Sequence, residues 1–91
     1  MDFKYESNRI FLENDEGEMI AEITFPMVGE NTVNINHTYV SSVLRGQGIA
    51  GKLMQEAVKV IEKNGWKAVA DCSYAVTWSE KHPEKKDLFN I

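Results

Sequence analysis

Residues 37–62 read HTYVSSVLRGQGIAGKLMQEAVKVIE, and their order decides the fold. The run that ends at His37-Thr38-Tyr39-Val40 alternates polar and apolar side chains, as a strand does when only one of its faces is packed. Arg45-Gly46-Gln47-Gly48-Ile49-Ala50-Gly51 follows as a glycine-punctuated turn, and an amphipathic helix starts abruptly behind it. Strand, glycine turn and helix in that order present bare backbone N–H groups at a helix N-terminus. Unpaired donors and the macrodipole there favour an anion such as a phosphate.

The helix is expected over Ile49 to Lys63. Ile49, Leu53, Ala57, Val60 and Ile61 form its apolar stripe, widened by Ala50, Met54 and Val58, while Lys52, Gln55, Glu56, Lys59, Glu62 and Lys63 point outward. Asn64-Gly65 stops it, glycine being suited to a left-handed cap. Trp66 to Cys72 then reads as a strand. A strand, a helix and a strand make a βαβ unit, so the strands on either side of the helix are expected to be parallel.

Working back from Val40, the span Thr32 to Val40 reads as one strand, with Val33, Ile35, His37 and Tyr39 on one face and Thr32, Asn34, Asn36 and Thr38 on the other. Arg9-Ile10-Phe11-Leu12-Glu13 and Met19 to Phe25 read as two further strands, joined through the Asn14-Asp15-Glu16-Gly17 turn. Pro26 and Gly29 end the second of them. Forward from Cys72, Tyr74 to Lys81 forms a short helix with Ser73 as its N-cap, ended by His82-Pro83. Glu84-Lys85-Lys86-Asp87 is a solvated charge run, with Leu88 and Phe89 turning back onto the core. The expected fold class is α+β: a mostly antiparallel sheet of four strands with one parallel pair, one main helix and a short C-terminal helix.

The 91 residues suit a single domain over 1–91, with too little chain for two cores. A composition of 43% hydrophobic and 26% charged residues is that of an ordinary globular protein. No apolar run approaches the roughly 20 residues of a membrane span, and no signal sequence opens the chain, so the expectation is no membrane and a cytoplasmic location. Cys72 is the only cysteine, and with His37 and His82 it forms no recognised metal spacing; no metal is expected. Charge is uneven, −6 over residues 1–40 and +2 over residues 41–91. The acidic half argues against a general nucleic-acid binder.

The glycine turn is neither a dinucleotide fingerprint, whose register differs, nor a Walker A loop, because Leu53 follows Gly51-Lys52 where a Ser or Thr would hold magnesium. It fits [Q/R]-x-x-G-x-[G/A], read as Arg45-x-x-Gly48-x-Ala50, in which small residues let the backbone curl around a pyrophosphate. A tight turn that uses glycine only for geometry satisfies the same spacing.

The run H-T-Y-V-x-x-x-x-R-G-Q-G-I-A-x-x-L, with D-C-S-Y and H-P later, resembles the GNAT superfamily of acetyl-CoA-dependent N-acetyltransferases, and within it the minimal stand-alone branch. The resemblance covers roughly residues 18–89 and implies an acetyltransferase with acetyl-CoA (coenzyme A) as co-substrate. It implies that the main chain of Gly46, Gln47, Gly48, Ile49, Ala50 and Gly51 holds the pyrophosphate in a loop begun by Arg45. Tyr39 and Val40 would pair with the pantetheine arm like an added strand, and the thioester would sit where the two parallel strands splay. A competing reading keeps the CoA cleft but makes the chain a sensor or interaction module without turnover.

His37 near the end of one strand and Cys72 at the end of its parallel neighbour are the candidate catalytic residues. An imidazole can remove the proton from an attacking ammonium, and a thiolate is a nucleophile. The minimal branch is similar in carrying this His and this Cys. Cys72 either takes the acetyl group as a thioester or lies beside it, with His37 the base in both cases; most of the superfamily attacks the bound thioester directly. As a core histidine on a face with Val33 and Ile35, and as a small buried thiol, the same two residues would have structural roles only. Tyr74 either protonates the leaving thiolate or packs, and packing is preferred. Larger GNAT enzymes place two helices between their first two strands, where this chain has only Asn14 to Gly17. An enclosed acceptor pocket is therefore not expected. Either the acceptor is a small amine, or it is bound on an open surface as a protein amine would be, or a second copy of the chain completes the site; the chain is expected to be a monomer or a homodimer.

Overall fold

The computed structural model describes residues 2–89. Its elements run β1 (Lys4–Glu6), β2 (Arg9–Glu13), β3 (Met19–Thr24), β4 (Met27–Gly29), β5 (Thr32–Ile35), β6 (His37–Val40), α1 (Ile49–Lys63), β7 (Lys67–Ala70) and α2 (Ser73–Lys81), with 3-10 turns at Ser42–Leu44 and Pro83–Lys85. The α+β class and its two helices are as expected. The sheet is not one of four strands: β1-β2-β3-β6 form an antiparallel sheet, and β4-β5-β7 form a second, in which β5 and β7 are parallel.

The turn between β2 and β3 follows from its residues. Asn14 Oδ1 accepts from the N–H groups of Glu16 and Glu18 at 2.9 and 3.0 Å, and Gly17 supplies a φ of +81°. An Asx turn with a left-handed glycine reverses the chain without strain. Pro26 ends β3, but the chain then forms β4, a short strand the sequence reading missed, which pairs with β5.

The main departure lies at Asn36. The single strand expected over Thr32 to Val40 is two strands with different partners, β5 pairing with β4 and β7 and β6 with β3. Asn36 sits outside both, its N–H donating to Thr24 O at 3.3 Å. One extra residue shifts the side-chain alternation by one position. Val33 and Ile35 are fully buried, whereas after the break Thr38 and Val40 are half-buried and His37 and Tyr39 are exposed. His37 therefore does not share the face of Val33 and Ile35, and a core-histidine role is excluded.

Helix α1 packs as its stripe requires, burying Ile49, Leu53, Met54, Ala57, Val58 and Ile61 against Ile10, Leu12, Ala21, Ile23 and Phe25 of the sheet. Gly65 at φ +71° closes the helix, with Trp66 N–H donating to Ile61 O at 3.0 Å. Leu88 and Phe89 do turn back: Leu88 O accepts from Ala68 N–H at 2.9 Å and both side chains are buried.

Candidate functional site

The start of α1 is uncapped. Its N-cap, Gly48, has no side chain to offer, and no acidic residue lies in the first turn. Among the described residues, the N–H groups of Gly46, Gly48, Ile49, Ala50 and Gly51 find no backbone acceptor, whereas Arg45 N–H donates to Ser42 O and Gln47 N–H to Leu44 O, both at 3.3 Å. The loop thus divides its donors. Two are spent on its own turn, and five are left without a backbone acceptor at or just before the positive end of a fifteen-residue helix. The geometry exists because Gly46 and Gly48 stand at φ +84° and +71°, which other residues rarely adopt.

A cavity of about 330 Å³ opens beside this loop, lined by Val40, Leu44, Arg45, Gly46, Gly48, Ile49, Ala50, Gly51 and Tyr74. Gln47 is the one residue of the expected loop that does not line it. The Tyr74 hydroxyl lies 3.6 Å from where a Cβ on Gly51 would stand, so the bare glycine leaves room for it. Burial raises the Tyr74 pKa above its ordinary 10.0. Tyr74 packs against the core, the role preferred from sequence, while its hydroxyl lies at the glycine loop.

The far wall is β6, the last strand of its sheet. As an edge strand, β6 leaves the main-chain groups of alternate residues, Val40 among them, turned toward the gap that separates β6 from β7, while those of Tyr39 face Glu22 of β3; such an edge is able to accept a further extended segment.

Cys72 lies two residues beyond β7 and not within it. Its N–H and that of Asp71 both donate to Ile35 O, at 3.2 and 3.0 Å, which turns the chain from strand into helix. Cys72, not Ser73, is the N-cap of α2, its sulfur accepting from Ala75 N–H at 3.4 Å. Thr38 Oγ1 lies 3.6 Å from the same sulfur. Neither Thr38 nor Cys72 lines the cavity itself, although Val40 and Tyr74, each two residues further along the chain, do.

His37 is elsewhere. It pairs across the sheet with Thr24, on the outer face that α1 does not cover, and its Nε2 lies 3.4 Å from Glu22 Oε1. The structure does not bring His37 and Cys72 into contact; they flank β6 from its two sides. Sequence reasoning singled out neither Thr38 nor Glu22. Thr38 lay inside the quoted H-T-Y-V run, but its facing depends on the break at Asn36. Among the described residues no three His, Cys, Asp or Glu side chains gather as a metal site would need, and no helix is long and apolar enough to cross a membrane.

A family model described as GCN5-related N-acetyl-transferase matches residues 9–88. Protein NATD1 of Xenopus tropicalis is 32% identical over 63 residues, which is 69% of this chain and 58% of that protein, so the match spans little more than half of the curated relative. The solution structure of a GCN5-like protein from Staphylococcus aureus superposes with a TM-score of 0.80 at 36% identity, covering 97% of this chain and 86% of that one. The crystal structure of the Escherichia coli GNAT protein YhbS, solved in complex with CoA, superposes with a TM-score of 0.58 at 26% identity over 68% of this chain and 38% of the other.

Proposed function

Because this chain belongs to the GCN5-related N-acetyltransferase family, we propose that it binds acetyl-CoA across the Gly46–Gly51 loop and transfers the acetyl group to a primary amine. The observation that carries this is the set of unpaired N–H groups at the uncapped start of α1, beside a cavity that ends at Tyr74 and the free edge of β6. Main-chain donors with no acidic side chain among them suit a pyrophosphate. Arg45, exposed at the loop's start, adds positive charge. The main chain of β6 at Val40, next to Tyr39, pairs with the pantetheine amides, and the thioester reaches the gap between β6 and β7.

The chemistry divides between the two faces of β6. His37, on the open outer face, takes the proton that an attacking ammonium must shed. The amine nitrogen bonds to the thioester carbonyl carbon, the carbon–sulfur bond breaks, Tyr74 gives its proton to the departing thiolate, and the second proton that the nitrogen sheds as the amide forms passes through solvent to restore Tyr74. A tyrosine whose pKa is raised by burial keeps that proton through neutral pH, as the role demands. Cys72 lines the gap without an imidazole beside it, which favours direct transfer over an acetyl-cysteine. The acceptor approaches the uncovered outer sheet face, where exposed protein amines and small amines alike have access.

A thermal melt with CoA and a rate assay with acetyl-CoA and a panel of amines test this reading. Ligand at 100 times its Kd adds about 2.7 kcal/mol of stability. His37→Ala lowers turnover by roughly 10²–10⁴-fold with the CoA melt unchanged. CoA binding without turnover on any amine would leave a sensor module, and no shift with CoA would end the proposal.

A further inference from the structure

The outer face of the antiparallel sheet carries two cross-strand rows, Lys4–Phe11–Glu22–Tyr39 and Glu6–Arg9–Thr24–His37. Within them Arg9 is held on three sides. Its guanidinium lies 3.9 Å over the Phe11 ring, its Nη1 donates to Glu6 Oε1 at 2.9 Å, and its Nε donates to Glu22 Oε2. Glu22 is thereby pinned through one oxygen, and its side chain is only 14% exposed. The other oxygen, Oε1, lies 3.4 Å from Nε2 of His37, a charge-pair distance longer than an ordinary hydrogen bond, and the His37 side chain is 51% exposed.

We propose that Glu22 is a positioning residue for His37, holding the imidazole with its hydrogen on Nε2 and its lone pair on Nδ1. An ionised carboxylate can only accept hydrogen bonds. The other neutral tautomer would set the Nε2 lone pair against Glu22 Oε1, two acceptors 3.4 Å apart with no hydrogen between them. Because Arg9 fixes the carboxylate from behind, Glu22 cannot rotate away from that conflict, and the ring changes tautomer instead. The nitrogen left free to take a proton is then Nδ1, turned away from Glu22. This inference rests on the assignment of His37 as the base.

The test is long-range ¹H–¹⁵N correlation of the ring nitrogens in ¹⁵N-labelled protein, at an alkaline pH where an imidazole is neutral. In the unsubstituted protein Nε2 is protonated and Nδ1 is not. In Glu22→Gln, Arg9 keeps the amide oxygen and turns the amide NH₂ toward the ring, so the hydrogen moves to Nδ1. Turnover falls in that variant while the KM for acetyl-CoA holds. A protein with Nδ1 protonated from the start, or a Glu22→Gln variant whose tautomer is unchanged, overturns the proposal, and a loss confined to thermal stability would assign Glu22 to the fold alone. The tautomer is read without any acetyl transfer. Full activity in His37→Ala would therefore refute the base while leaving the Glu22 contact intact.

Discussion

Thr38 Oγ1 and Cys72 Sγ meet at 3.6 Å across the gap where β6 and β7 part. That contact ties β6 to the cap of α2 just beyond β7, across two strands that share no ladder, since β6 pairs with β3 and β7 with β5. It also places the only sulfhydryl of the chain on the inner side of β6, with His37 on the outer side.

Separation of the two groups sets the expected behaviour of Cys72→Ala. With no imidazole touching the sulfur, acetyl transfer is expected to survive this substitution, in contrast to the loss in His37→Ala. Intact-mass spectra taken during turnover should show unmodified Cys72. An acetyl adduct that forms and decays at the rate of turnover would establish a two-step route instead.

Tyr74→Phe removes the hydroxyl facing Gly51 and keeps the ring. Turnover should fall by about 10²-fold or more, the usual worth of a general acid, with little change in CoA affinity. The pH profile supplies the sign. A raised pKa keeps the phenol protonated up to and beyond 10.0, so if Tyr74 is the acid, turnover should fall only above that value, and Tyr74→Phe should lack that alkaline limb. A variant with native turnover would return Tyr74 to a packing role.

Gly48→Ala places a side chain at φ +71°, although no atom within 4 Å would meet its Cβ. The cost is therefore backbone strain, about 1 kcal/mol, with no clash. If the loop relaxes to relieve it, the unpaired N–H groups at the start of α1 shift. Acetyl-CoA should bind more weakly in proportion, while Gly17→Ala, at φ +81° in the distant β2–β3 turn, should lower stability alone. Equal CoA affinities for the two variants, measured by calorimetry, would separate the glycine loop from the ligand.

The first strand is tied to the main helix by Tyr5 Oη, which donates to Glu56 Oε1 at 2.7 Å. This hydrogen bond lowers the Glu56 pKa, helped by Lys59, and raises that of Tyr5. A lowered carboxylate contributes stability above its ordinary 4.5, lost as pH falls through the lower folded value. A raised phenol contributes below 10.0 and loses its share as pH climbs through the higher folded value. Tyr5→Phe should therefore cost about 0.5 kcal/mol at neutral pH, small because the pair is exposed, and nothing in strong acid. Urea melts at several pH values check this; a constant difference across them would remove the Glu56 linkage.

Much of this architecture is written locally. The α1 stripe, the glycine turn before it, Gly65 behind it and the Asx turn at Asn14 each depend on residues within a few positions, so their residue types were enough to locate them. The resemblance to N-acetyltransferases drew on the same stretch and was legible for the same reason. Facing was not. Whether His37 lies on the inner or outer side depends on Asn36 being left out of both strands. That in turn depends on β3 capturing one half of the segment while β4 and β7 capture the other. Likewise Cys72 became a helix cap instead of a strand end because Ile35 O takes two successive N–H groups there. Sequence alone determined that a helix begins at an uncapped glycine turn. Only the tertiary structure decided which side of β6 His37 and Cys72 each occupy, because strand pairing is a competition between distant partners and one unpaired residue inverts every side chain beyond it.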